Sequence, residues 1–299
     1  MVKIGGTLSA KVIQPAIAEV LQYYENTFDR QGAVGINHNA AKVTYLGIAR
    51  FVRHTYAAVM YLIAEQPEDF DRKPEFLLVV SPMLRSICEA CTLAVIFRAD
   101  TERKLDLYVE GGLREASELL VQMREKFGAD PEWQDSIREQ EKSLGRRFEL
   151  AAIDPKKVGK LRTFPYHGQA IGLYRKNSLA SVLSGEDGAF ASYLDRWYYK
   201  TLSKHAHLSF DGLLALQGGF GAFAPGRGIE NEVQTQRSLV AFICLTLMLC
   251  AFSELELRFQ FGGNGRVKLQ YLWTIIGESH PDAKEIYRMR YQGGFGGAQ

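Results

Sequence analysis

The stretch WYYKTLSKHAHLS (197–209) gathers phenols, hydroxyls, ammonium groups and imidazoles into thirteen positions. On a helix advancing about 100° per residue, Tyr199, Ser203 and His207 are four apart and stand in one row. Arg196 and Phe210 fall in the same stripe, Lys200 and Lys204 lie beside it, and His205 points to the far side. A phenol, a hydroxyl and an imidazole in line can hold a phosphate or a ribose. They can also pass a proton, because histidine titrates near neutrality. The same three side chains can equally be core residues with satisfied hydrogen bonds.

A second polar feature sits in LLVVSPMLRSICEACTLAVIF (77–97), where Arg85 and Glu89 are the charged residues and stand four apart. Two charges inside so apolar a helix are costly unless they pair with each other or with polar groups opposite. Glu89 can fix the Arg85 fork for phosphate recognition, or the pair can be an internal clamp that sets helix register. The Tyr199–Ser203–His207 row is the most polar helical stripe available to receive them. The sequence therefore predicts that helices 82–97 and 190–212 pack side by side. Arg85 or Glu89 should come within about 3 Å of one member of the row.

LRSICEACTLAVIFR, followed some distance on by YYKTLSKHAH, resembles an uncharacterised bacterial family of helical proteins. Its recurring signature is an R-x3-E helix and a later Y-x3-S-x3-H helix, matched here by Arg85, Glu89, Tyr199, Ser203 and His207. That family is distantly similar to the HEPN (higher eukaryote and prokaryote nucleotide-binding) helical bundles. Many HEPN domains are metal-independent ribonucleases of toxin and phage-defence systems and dimerise around the active site. The resemblance implies a helical bundle that binds nucleotide or RNA without a cofactor, forms a homodimer and works with a protein partner from the same locus. In a ribonuclease of this kind His207 would be general base or acid at a ribose 2′-hydroxyl. Arg85, held by Glu89, would stabilise the phosphorane charge, and Tyr199, Ser203 and Arg196 would position the phosphate. The chain departs from the catalytic HEPN pattern of an arginine, four to six residues, then a histidine. Arg196 is followed by eight residues before His205 and ten before His207. The alternative is a non-catalytic interaction or sensor module whose polar cluster is structural.

The elements that must carry these residues read as helices throughout. Apolar spacing of three and four predicts helices at 12–28, 39–65, 101–128, 131–150, 188–216, 231–260, 267–277 and 281–291. A further helix should start at Ser81-Pro82, since serine caps well and proline suits the first turn, and run to about Arg98. Gly111-Gly112 is a weak point within 101–128, and 162–177 reads as loop. No period-two alternation persists, so the fold class is all-α. One domain spans 1–292, with its core at about 39–98 and 188–260, a charged flank at about 101–150 and a flexible tail at 293–299.

The formal charge of +2 gives no electrostatic footprint by itself, so any such footprint must be local. SLVAFICLTLMLCAFS (238–253) is uncharged but shorter than the roughly 20 residues of a membrane span, and reads as a core or interface helix. The start of the chain lacks signal-peptide features, and four cysteines make no disulfide framework, so a cytoplasmic, membrane-free protein is expected. Cys88-x2-Cys91 lies mid-helix, where inert thiols are expected rather than a metal site. The Gly-rich 217–228 segment lacks the lysine and strand of a phosphate loop. Arg50, Arg53 and His54 cluster within 39–65, either as a solvated patch or as an extension of a phosphate site.

Overall fold

The computed structural model describes residues 10–31, 38–63, 76–99, 101–162, 183, 185–206, 229–260 and 263–296. Among these residues every regular element is helical and there is no strand. The elements are α1 (Ala10–Gln31), α2 (His38–Ile63), α3 (Phe76–Ala99), α4 (Thr101–Phe127), α5 (Pro131–Leu150) and a 3-10 turn (Pro155–Lys160). Next come α6 (Gly185–Leu194), a π turn (Asp195–Tyr199) and α7 (Lys200–Ala206), which run on as one arm. Then follow α8 (Ile229–Phe259), α9 (Gly263–Ser279), α10 (Pro281–Ile286), a second π turn (Tyr287–Tyr291) and α11 (Gln292–Gly296).

Helices α2, α3 and α8 pack on one another at the centre, the α6–α7 arm lies along α3, and α1 pairs with α9 and α2. The uncharged run becomes the middle of α8, where Leu247 through Phe252 have no exposed surface. Helices α3 and α8 are each long and apolar enough to cross a membrane by composition, yet most of each is buried among the other helices. Both carry charged residues that find partners inside the bundle.

Several details differ from the sequence reading. Helix α3 starts at Phe76 rather than at Ser81-Pro82, so Pro82 lies inside it. Val80 and Ser81 are buried, and packing of that turn outweighs the hydrogen bond Pro82 cannot donate. Gly111-Gly112 does not break α4, because Leu113 next to it joins Phe148, Ala151 and Leu161 in a small core between α4, α5 and the segment that follows. At the C-terminus Gln292–Gly296 is helical. Gly294 comes close to the Leu257 side chain of α8, and residues 297–299 of the expected tail lie outside the described residues.

Candidate functional site

Arg85 and Glu89 project from α3 toward the α6–α7 arm, and the expected side-by-side packing is present. Arg85 Nη2 donates to the Tyr199 hydroxyl oxygen at 2.8 Å, and Arg85 Nε donates to Glu89 Oε1 at 3.1 Å. The guanidinium carbon lies 4.9 Å from the centre of the Tyr199 ring, near enough for a cation–π contribution. Burial raises the pKa of Tyr199, partly offset by the Arg85 charge. The phenol therefore stays neutral at physiological pH and keeps its own proton to donate. Ser203 Oγ is buried beside this phenol without a well-directed hydrogen bond among the described residues.

The cluster is nearly enclosed. Tyr199 is 9% exposed, the Arg85 side chain 17% and the Glu89 side chain 35%, so solvent reaches it mainly past Glu89. A groove of about 270 Å³ lined by Glu110, Asp154, Lys157 and Lys160 lies at the base of the α4–α5 flank and is not formed by any of these residues. Among the site residues read from sequence, Arg85, Glu89, Tyr199 and Ser203 converge. His207 lies outside the described residues.

Arg196 does not join the row. The π turn adds a residue to the helix there, with the Lys200 N–H bonded to the Asp195 carbonyl five residues back. That insertion shifts the phase between 196 and 199. Tyr198 and Tyr199 turn inward, while Arg196 and Trp197 are exposed and the guanidinium lies 5.7 Å from the indole. A regular helical wheel cannot register an inserted residue.

Comparison of the chain with protein-family models, curated proteins and solved structures finds no match to any of the three.

A larger ionic cluster went unread in the sequence. Glu254 of α8 is fully buried, and each of its carboxylate oxygens accepts two hydrogen bonds. Oε1 receives Arg290 Nε at 2.9 Å and the Tyr291 hydroxyl at 3.1 Å. Oε2 receives Arg98 Nε at 2.9 Å and Arg290 Nη2 at 3.0 Å. Asp187 of α6 balances the second arginine, 2.6 Å from Arg290 Nη2 and also paired with Arg98. Burial works against the Arg290 charge, but Glu254 outweighs it, so its pKa is raised. Two cations and two anions cancel inside the bundle. The available signal was positional, since Arg98 and Glu254 stand directly after the uncharged runs 90–97 and 238–253.

The two clusters hold one arm. Asp187 meets Arg98 near the end of α3, the Cys88 thiol approaches the Leu194 carbonyl at 4.0 Å, and Tyr199 meets Arg85. These partners run in opposite directions along the two elements, so the arm is antiparallel to α3 and clamped at both ends. The outer clamp fixes where Tyr199 can sit. Cys88, Cys91, Cys244 and Cys250 lie buried in α3 and α8, and burial pushes the Cys88 and Cys91 thiols well up, away from the nucleophilic thiolate form.

Proposed function

We propose that the protein is a HEPN-like bundle that binds nucleotide or RNA at the Arg85–Glu89–Tyr199–Ser203 cluster, with His207 as the proton-transfer group of a metal-independent ribonuclease. One observation carries the reading. Arg85 is held in a fixed orientation by a carboxylate on its own helix and a phenol on the facing one, beside a buried hydroxyl with unused hydrogen-bonding capacity. A preoriented guanidinium with two hydroxyl donors suits a phosphoryl group, whose charge grows as a 2′-oxygen attacks phosphorus and the bond to the 5′-oxygen breaks. His207 would take the 2′-hydroxyl proton, and a proton must reach the departing oxygen. A homodimer and a protein partner from a phage-defence locus belong to the same reading.

The low exposure of Tyr199 favours a second reading, in which the cluster only sets the register of α3 against the arm and the protein is an interaction or sensor module. Full-length protein incubated with labelled RNA in EDTA separates the two. The first reading requires binding that weakens at least tenfold in Arg85→Gln, and cleavage that disappears in His207→Ala. Wild-type protein that neither binds nor cuts RNA removes it.

A further inference from the structure

The chain has a net charge of +2, but its cations are unevenly placed. Between 146 and 160 five of them stand against two carboxylates, and from 155 to 185 there are six Lys or Arg and no Asp or Glu. Elsewhere on the same flank the arginines are paired: Arg114 with Glu118, Arg124 with Glu141 and Arg138 with Asp135. Arg146, Arg147, Lys156, Lys157 and Lys160 are exposed and have no ion-pair partner among the described residues.

Two of these cations belong to a preformed surface. Lys157 and Lys160 line the groove of about 270 Å³ at the base of the α4–α5 flank, together with Glu110, Ile153, Asp154 and Leu161. A 3-10 turn places residues three apart on one side, roughly 6 Å from each other at about 2 Å per residue, so both ammonium groups can reach one anion. The wall is fixed from behind, because Leu161 packs with Leu113, Phe148 and Ala151 and its carbonyl accepts Arg114 Nη1 at 3.2 Å. Glu110 is neutralised by Arg162, whose backbone N–H and Nε each donate to it at 2.9 Å and whose Nη2 donates at 2.5 Å. Asp154 accepts the Lys156 N–H at 3.0 Å and is then one carboxylate against three lysines. The groove keeps a net positive charge.

We propose that this corner is a backbone contact for RNA, in which Lys157 and Lys160 hold one phosphodiester and Lys156 meets the next. The proposal rests on the RNA reading of the Arg85 cluster and gives the strand a second point of attachment. The groove is smaller and more polar than pockets that enclose a whole small ligand, so it suits one charged group of a larger molecule. Lysines act as point charges without the planar fork of arginine, which fits charge neutralisation along a backbone rather than reading of a base edge. An acidic protein partner fits less well, since protein interfaces are built around apolar and aromatic anchors and the groove walls supply no aromatic ring.

The test is fluorescence anisotropy of full-length protein with labelled U12 RNA at several salt concentrations, beside a labelled glutamate dodecapeptide and sedimentation with phosphatidylserine vesicles. The substituted lysines are exposed, and circular dichroism checks that each variant is folded. Lys157→Gln/Lys160→Gln should flatten the slope of log affinity against log salt by about 1.4, two single-strand contacts at about 0.7 each, and weaken U12 binding on the order of tenfold at about 0.1 M salt. Arg138→Gln, on the same flank but paired with Asp135, should leave the slope unchanged. An unchanged slope in the lysine variant, with binding lost in Arg85→Gln, overturns the groove contact and leaves the RNA reading intact. A flattened slope with normal binding in Arg85→Gln supports the groove and removes the Arg85 cluster as the RNA site. Wild-type protein that ignores U12 defeats both. Peptide or vesicle binding as tight as that of U12, and lost in the lysine variant, overturns the assignment to RNA.

Discussion

Arg85 on α3 and Tyr199 on the facing arm share a hydrogen bond of 2.8 Å at one end of the interface between them. It is charge-assisted and mostly shielded, so it should be measurable by substitution. Tyr199→Phe keeps the ring under the guanidinium and removes only the acceptor, and should cost about 1.5 kcal/mol. Arg85→Ala should cost on the order of 2 kcal/mol, because Glu89 loses its partner but is open enough for water to approach. Urea unfolding of the two single variants and the double variant gives the coupling. A coupling below about 0.3 kcal/mol would mean that the bond does not fasten the arm.

The Glu254 cluster should be far less forgiving. Glu254→Gln leaves Arg98 and Arg290 with Asp187, whose side chain is 20% exposed, as their remaining carboxylate among the described residues, and burial prevents water from compensating. A loss of about 3–5 kcal/mol is expected, enough to unfold a marginal domain. Asp187→Asn removes a carboxylate that water already touches and should cost only about 1 kcal/mol. Equal losses in chemical denaturation would contradict the ranking and show that α6, not the core, depends on the cluster.

How much of this was legible in the sequence follows from the range of each cause. Helix content was readable because the 3.6-residue period is local, and the Arg85–Glu89 pair because two charges in an apolar helix demand a partner. The start of α3 was not, since proline at 82 signals a first turn and only tertiary burial of Val80 overrides it. The phase of Arg196 was lost to the π turn, which no spacing rule contains. The Arg98–Asp187–Glu254–Arg290 cluster joins residues as far as 192 positions apart from Arg98 to Arg290. Each looks like an ordinary helix-end charge until the helices are placed together.

Alkaline stability should report the buried phenols together. Burial raises the pKa of Tyr24, Tyr56, Tyr198, Tyr199 and Tyr291 above the ordinary value of 10. A raised acid binds its proton more tightly when folded. Stability is therefore undiminished below about pH 10 and falls as pH rises through the interval between the unfolded and folded values. Absorbance at 295 nm and far-ultraviolet circular dichroism should change together above pH 10, in one cooperative step for these residues. Their ionisation with the helices still intact would contradict the burial.

The four thiols should be silent in the folded state. All are buried in α3 or α8, and the Cys88, Cys91 and Cys244 thiols are raised by burial. A disulfide reagent such as DTNB should react with none of them at pH 8 within minutes, and with all four once guanidinium unfolds the chain. Rapid reaction of one thiol in native buffer would reveal an opening between α3 and α8.

The end of α5 carries a small strain that a substitution can relieve. The Ile153 N–H bonds the Phe148 carbonyl at 3.1 Å and the Ala152 N–H bonds the Glu149 carbonyl at 3.0 Å, the paired closure of a Schellman motif. Ile153 also packs on the small core around Phe148, the apolar contact that accompanies such an ending. This geometry puts Ala152 at φ 53°, where a Cβ crowds the following carbonyl and where glycine is the usual occupant. Ala152→Gly removes about 1–2 kcal/mol of steric cost and returns part of it as freedom of the unfolded chain. A net gain of about 0.5–1 kcal/mol is expected, seen as a higher urea midpoint with an unchanged slope. A loss of stability instead would mean that the Ala152 methyl group packs in a way that outweighs its strained backbone.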